Sequence, residues 1–138
     1  MNQQMDVRWK QRFANYQKAL SQLERFPARN MLNEFEIQGL IKAFEYTFEL
    51  AWKTLQDFLE EIAAYPDIKG PRPVIMKAFQ DGYLTHGESW MSMLKDRNRT
   101  VHTYDQATAS EIADAITKEY MPLFAALNKK LEGFLQKK

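Results

Sequence analysis

Between residues 95 and 105 the chain reads KDRNRTVHTYD, and three side chains there could do chemistry together: Arg97, His102 and Tyr104. Histidine, with an ordinary pKa of about 6.5, is suited to moving a proton at neutral pH. Arginine keeps its charge and presents a planar fork that fits phosphate oxygens. An arginine beside a histidine is therefore a unit that can transfer a proton while stabilising charge that develops on an anion. The plainer reading is a polar surface turn in which Tyr104 packs, His102 caps a helix and Arg97 pairs with Asp96 or Asp105.

Either reading depends on the elements that carry these residues. On one continuous helix, positions 97 and 102 would sit about 140° apart and would not converge. Thr100 and Val101 lie between them, and β-branched residues are poor helix formers. A helix ending near Arg97, with the next beginning after Asp105, turns the segment into a corner. In an extended piece, His102 and Tyr104 would then point the same way. The spacing fits a helix–loop–helix corner and does not fit a helix face.

The rest of the chain supplies helices. Trp9, Phe13, Tyr16, Leu20 and Leu23 recur in steps of four and three, one stripe of an amphipathic helix that should end near Phe26, before Pro27. Asn33 with Glu36 three residues on predicts a capped start for a second helix. Its stripe runs through Ile37, Leu40, Phe44, Phe48, Ala51, Leu55, Leu59 and Ile62. Phe35, Ile41, Tyr46, Leu50, Trp52 and Phe58 lie beyond that stripe, so more than one neighbour must cover this helix. A second copy of the chain or a central place in one bundle would each provide that cover. Tyr65 to Pro73 reads as a loop, Val74 to about Tyr83 as a short helix, and THGES as a break at Gly87, with Thr85 or Ser89 as caps and His86 as a helix-end residue.

Helical character resumes through Trp90, Met91 and Leu94. A last long helix carries Ile112, Ile116, Tyr120, Phe124, Leu127, Leu131 and Phe134 on one face, and Pro122 should kink it. The expected fold is an all-α, antiparallel up-and-down bundle of four to five helices with a kinked long C-terminal helix, a single domain over residues 5–136. Residues 1–4 and 137–138 are expected to be flexible ends. Trp52 and Trp90 read as core or dimer anchors.

Composition narrows the function classes. A chain of 138 residues that is 45% hydrophobic and 27% charged can build a core and is not a disordered segment. It has no cysteine, hence no disulfide framework and no thiolate site, which suits a reducing cytoplasm. The N-terminal residues lack the apolar run and cleavage site of a secretory leader, and no stretch approaches a membrane span, so no membrane partner is expected. His86 and His102 have no carboxylates at ligand spacing around them, so no metal site is expected. The net charge of +1 is too small to draw polyanions from a distance. Nucleic-acid binding would need a local patch, and Lys95, Arg97 and Arg99 form the one cluster away from the termini. A solvated helix end would look the same.

The pattern Arg97-Asn98-x-x-x-His102-x-Tyr104 resembles the R-x4-H-x-Y motif of the HEPN superfamily, including the polar residue after the arginine. The run FEYTFELAWKTLQDFL, residues 44–59, resembles the corresponding helix of the nucleotidyltransferase substrate-binding protein family within it. The likeness extends from about Trp9 to Phe134.

That resemblance implies a dimerising helical bundle, often paired with a minimal nucleotidyltransferase in toxin–antitoxin modules of the HepT/MntA type. HEPN toxins are metal-independent ribonucleases in which the motif arginine and histidine cut RNA. By resemblance Arg97 and His102 would be catalytic, with Asn98 orienting one of them or binding the phosphate. Tyr104 would accept AMP from a partner that uses ATP, and this chain would need no cofactor of its own. Relatives carry a polar residue near Glu49, which could hold Arg97 or His102; an i,i+4 pairing with Lys53 is its alternative. Arg99 would contact RNA or a partner, or simply be solvated. A second reading of the family makes such chains the non-catalytic substrate-binding half of a two-component nucleotidyltransferase.

Overall fold

In the computed structural model, residues 3–65 and 67–135 are described, with side chains from Arg8 onward. Residues 1, 2, 137 and 138 of the expected flexible ends lie outside that range, and Gln3 and Gln4 belong to the first turn of a helix. The described residues form helices joined by short turns, with no strand. These are α1 (Gln3–Leu23), α2 (Glu34–Glu61), α3 (Pro71–Gln80), α4 (Gly87–Arg99), α5 (Gln106–Ala115) and α6 (Met121–Leu135). Short 3-10 turns occupy Arg29–Met31 and Thr100–His102, and a π turn over Ile116–Tyr120 makes α5 and α6 one long C-terminal helix.

Inter-helix bonds fix the directions. Arg8 donates to Glu61 at 2.8 Å, Arg12 to Asp57 at 2.7 Å and Tyr46 to Gln22 at 3.0 Å, so α1 and α2 run antiparallel. Arg97 meets Glu49 and Thr100 meets Glu45, which sets α4 antiparallel to α2 as well. Gln38 bonds to Thr103, and Phe58 lies 4.9 Å from Phe134, so the C-terminal helix starts and ends alongside the start and end of α2. The up-and-down bundle is thus α1, α2, α4 and α5–α6, with the short α3 packed on α2 and α4.

Local chemistry explains the boundaries. Asn33 accepts from the Glu36 amide, and the Glu36 side chain accepts from the Asn33 amide, completing the capping box expected for α2. Helix α3 begins three residues earlier than the sequence suggests. Pro71 occupies its first position, where a missing amide hydrogen costs nothing. Gly70 enters with φ 88° and donates to Gln56 at 3.0 Å. The break before α4 falls on His86, in the left-handed region at φ 58°, and Gly87 is already helical. Gly87 is needed for packing: a Cβ there would lie 2.7 Å from the Phe79 ring. His86 Nδ1 lies 3.1 Å from Thr85 Oγ1, and neither Thr85 nor Ser89 caps α4.

The interruption expected at Pro122 takes the form of the π turn just before it. Met121 donates to Ile116, one residue further back than α-helical bonding would reach. The wider turn accommodates the bond that Pro122 cannot make.

The core is aromatic. Trp9 meets Phe58 edge-on at 5.1 Å, Phe44 stacks on Tyr120 at 5.7 Å, and Trp90 meets Phe124 edge-on at 5.7 Å. Ile41 and Phe58, outside the main stripe of α2, are buried within the single chain, and Leu50 and Trp52 are partly so. Phe35 is left 80% exposed. Among the described residues no helix is long and apolar enough to cross a membrane.

Trp90 fixes α4, and hence the corner, against Phe48 of α2 and Phe124 of α6. Trp90→Ala is expected to lower the unfolding free energy by about 3–5 kcal/mol in denaturant titrations. A loss below about 1 kcal/mol would mean that α4 is anchored elsewhere.

Candidate functional site

The end of α4 projects its side chains in two directions. Positions 97 and 99 differ by about 200° around the helix, so the two arginines leave on opposite sides. Arg97 turns toward α2, where its Nη2 lies 2.6 Å from Glu49 Oε2 and its guanidinium carbon lies 5.5 Å from the Phe48 ring centre. Its Nη1 donates to Asn98 Oδ1 at 3.1 Å, while its Nε is buried with no hydrogen-bond partner among the described residues. Glu49 serves both roles that the sequence left open. Besides Arg97, it accepts from Trp52 Nε1 at 3.2 Å and lies 3.9 Å from Lys53 Nζ.

Arg99 leaves on the other side and pairs with Asp96 at 2.9 Å and with Glu111 of α5. The hydrogen bond to Glu111 is the main reason its pKa is raised further. Asp96 also accepts from Tyr120 at 2.6 Å; burial first and this bond second push the Tyr120 phenol well above its ordinary range. Asp96 and Asp105 therefore have partners other than Arg97.

The connecting turn is pinned rather than loose. Buried Thr100 donates to Glu45 Oε2 at 2.5 Å and lies 2.7 Å from the Arg97 carbonyl, and Thr103 donates to the Thr100 carbonyl at 2.9 Å. Gln38 of α2 donates to the Thr103 carbonyl at 2.8 Å. Residues Thr100–His102 take a 3-10 turn instead of the extended conformation expected, and the helix before them runs to Arg99 rather than stopping at Arg97. His102 and Tyr104 nonetheless meet, with Nδ1 3.3 Å from the phenol oxygen and the rings edge to face at 5.9 Å. Asp105, not His102, caps α5, accepting from the amide and hydroxyl of Thr108. Tyr104 does not pack: it is 82% exposed.

The corner is a ridge between two grooves. On one side, a groove of about 400 Å³ is bordered by His102, Asn98, Arg99 and Lys95, with Arg72 of α3 opposite and Met91 and Leu94 beneath. On the other, a groove of about 310 Å³ runs between the starts of α2 and α5, bordered by Tyr104, Phe35, Gln38 and Gln106. Among the described residues no hydrogen bond joins Arg97 to His102. Asn98 is the residue between them, bonded to Arg97 and bordering the groove of His102.

This arrangement lies inside the region matched by a family model described as nucleotidyltransferase substrate binding protein like, residues 11–133. The chain belongs to that family. A Haemophilus influenzae protein described as "Probable ribonuclease HepT" is 30% identical over 79 residues, covering 55% of this chain and 54% of that protein. The match thus spans about half the length of that curated relative. A crystal structure from Thermus thermophilus superposes with a TM-score of 0.70 at 31% identity, covering 88% of this chain and 99% of the other. A second, from Haemophilus influenzae, is described as revealing the fold of a substrate binding domain of a nucleotidyltransferase. It superposes with a TM-score of 0.65 at 21% identity, over 93% and 98% of the two chains, and speaks to the fold alone.

In this nucleotidyltransferase substrate-binding family member, the structure adds residues that the sequence did not single out. Glu45 and Gln38 hold the turn, and Arg72 borders the groove of His102 from a different helix. Glu45 had one signal: it stands one helical turn before Glu49, on the same face of α2. Arg72 had none, since it lies in a proline-rich stretch far from the motif. Among the described residues, no group of three histidine, aspartate or glutamate side chains could hold a metal ion.

Two outcomes follow from these contacts. In a double-mutant cycle of Glu49→Gln with Arg97→Ala, denaturant titration should give a coupling of about 1 kcal/mol, modest because both side chains are partly exposed. Zero coupling would mean that Glu49 does not hold the arginine. Asp105 has its carboxyl held below its ordinary value of 3.8 by the side-chain and backbone bonds from Thr108. Its contribution is therefore present above that value and is lost as pH falls through the lower folded value. Asp105→Ala should melt earlier than wild type at neutral pH, and the two melting curves should converge in acid.

Proposed function

We propose that this chain is a HEPN-type endoribonuclease, the toxin half of a cytoplasmic toxin–antitoxin module. It would cleave RNA without a bound metal or other cofactor. The observation that carries this reading is the contact of His102 Nδ1 with the Tyr104 hydroxyl at 3.3 Å on an exposed corner. With Nδ1 turned to the phenol, Nε2 is the nitrogen left to exchange a proton with a substrate.

In the proposed reaction the RNA 2′-oxygen attacks the adjacent phosphorus and loses its proton to a base. The bond from phosphorus to the 5′-oxygen then breaks, and that oxygen takes a proton from an acid, leaving a 2′,3′-cyclic phosphate. His102 supplies one of these proton-transfer groups, and the same residue of a second copy across the cleft of a homodimer supplies the other. Arg97, whose guanidinium turns toward α2, would offset the charge that builds on phosphorus through its field across the corner, and Asn98, which accepts from Arg97 and borders the groove of His102, would hydrogen-bond the phosphate. Glu49 acts as a positioning residue for Arg97. Arg99, with both terminal nitrogens already paired, would reach RNA or a partner only by giving up Glu111 or Asp96.

Tyr104 is the point of control. Its exposure leaves the phenol open to a minimal nucleotidyltransferase. The phenol oxygen would attack the α-phosphorus of ATP, lose its proton and release pyrophosphate. The AMP then places a negative phosphate beside His102 and obstructs the corner. The family description favours a second reading, in which the chain is a non-catalytic subunit presenting a nucleotide or other substrate to a nucleotidyltransferase.

Cleavage of an RNA oligonucleotide in excess EDTA separates the two, using protein shown by intact mass to carry no AMP. His102→Ala should lose about a hundredfold or more in rate, the usual scale of general acid–base catalysis. Tyr104→Phe should cut RNA normally and accept no AMP. Cleavage that survives in both Arg97→Ala and His102→Ala would remove the site assignment, and no cleavage by unmodified wild type would favour the binding subunit.

A further inference from the structure

We propose that Arg72 and Lys95 form a phosphate-binding subsite for a single-stranded polynucleotide, beside His102 and distinct from the phosphate that is cut. The inference deepens the ribonuclease reading and rests on it for the identity of the strand. Arg72 sits in the first turn of α3 and Lys95 on α4, and both border the groove that His102 and Asn98 enter. Neither makes an ion pair or hydrogen bond to another described residue, whereas Arg8, Arg12, Arg29, Arg97 and Arg99 are each paired with a carboxylate. Among the described residues, no carboxylate borders this groove.

The contrast with Arg99 is the physical core of the inference. Arg99 borders the same groove, but Asp96 and Glu111 already neutralise it. Arg72 and Lys95 are left as two uncompensated cations from different helices, facing one concave surface. That pattern attracts a backbone phosphate, whose condensed counterions are released when the cations replace them. Partly buried Met91 offers apolar surface to a sugar or base. Lys95 and Met91 also border a second, mostly apolar groove of about 430 Å³ between α3 and α4, where Met76 and Phe79 are half exposed and Glu88 is the one carboxylate among the described residues that line it. A strand leaving His102 along α4 therefore passes the two cations before it meets an exposed aromatic ring, the usual platform for a stacked base.

The test uses the full chain, free of AMP by intact mass, and a fluorescein-labelled oligodeoxyribonucleotide, which lacks the 2′-hydroxyl and cannot be cut by the proposed route. Anisotropy titrations in EDTA at several salt concentrations compare wild type with Arg72→Gln, Lys95→Gln and Arg25→Gln. Arg25 is an exposed arginine outside the groove and controls for net charge.

Each groove variant should bind roughly fivefold more weakly at low salt. Each should also lower the slope of log affinity against log salt by about 0.7, the single-strand value for one phosphate contact. Arg25→Gln should match wild type. An unchanged slope in Arg72→Gln, an equal loss in Arg25→Gln, or no oligonucleotide binding by wild type would overturn the subsite. So would a second titration with ATP in which Arg72→Gln loses more affinity than it does for the oligonucleotide, since the groove would then be a mononucleotide site. The two proposals fail separately. RNA left uncut with the salt slopes as expected removes the ribonuclease alone, and His102-dependent cutting with unchanged slopes removes the subsite alone.

Discussion

Two glutamates one turn apart on α2 hold the end of α4: Glu45 accepts from Thr100, and Glu49 takes the Arg97 guanidinium. Everything distinctive about the corner depends on this clamp. Arg97 is a long side chain with about 2 kcal/mol of rotamer freedom to lose, and its Nε is already buried. Glu49 and the Phe48 ring give it one direction, and Asn98 accepts from its Nη1. Because Thr100 and the Thr103 carbonyl are tied to the same helix, the turn carrying His102 moves with Arg97 rather than independently.

The clamp works because α2 is the most enclosed helix of the bundle. Aromatic contacts from α1, α4 and α6 converge on Phe44, Phe48 and Phe58, so the helix is a rigid rail rather than a surface element. A site built from a rail and a helix end keeps its geometry better than one built on a loop alone. The same enclosure leaves little of α2 for other partners. Of its apolar residues outside the stripe, Phe35 alone stands almost fully free, next to Tyr104 on the second groove.

The ridge separates two chemical surfaces. His102 faces a groove with unneutralised cations, and Tyr104 faces one bordered by glutamine, glutamate and phenylalanine side chains. The two residues still touch through Nδ1 and the phenol.

Most of the helices, the α2 capping box and the placement of the motif on a corner were legible from periodicity and turn chemistry. Those signals are local: a helix repeats every 3.6 residues, and a cap involves side chains three positions apart. Boundaries next to Pro71 and Gly87 were misread because each residue is compatible with a helix start as well as with a loop. The sequence also contained Arg97, Asn98, His102 and Tyr104 as a set, and Glu49 as a residue able to reach them. Only the tertiary structure decided that Glu49 holds Arg97 while still facing Lys53, that Arg99 is neutralised by Glu111, and that Arg72 lines the same groove as His102. Those outcomes depend on how helices cross and which faces meet, and residues far apart in the chain carry no local trace of either.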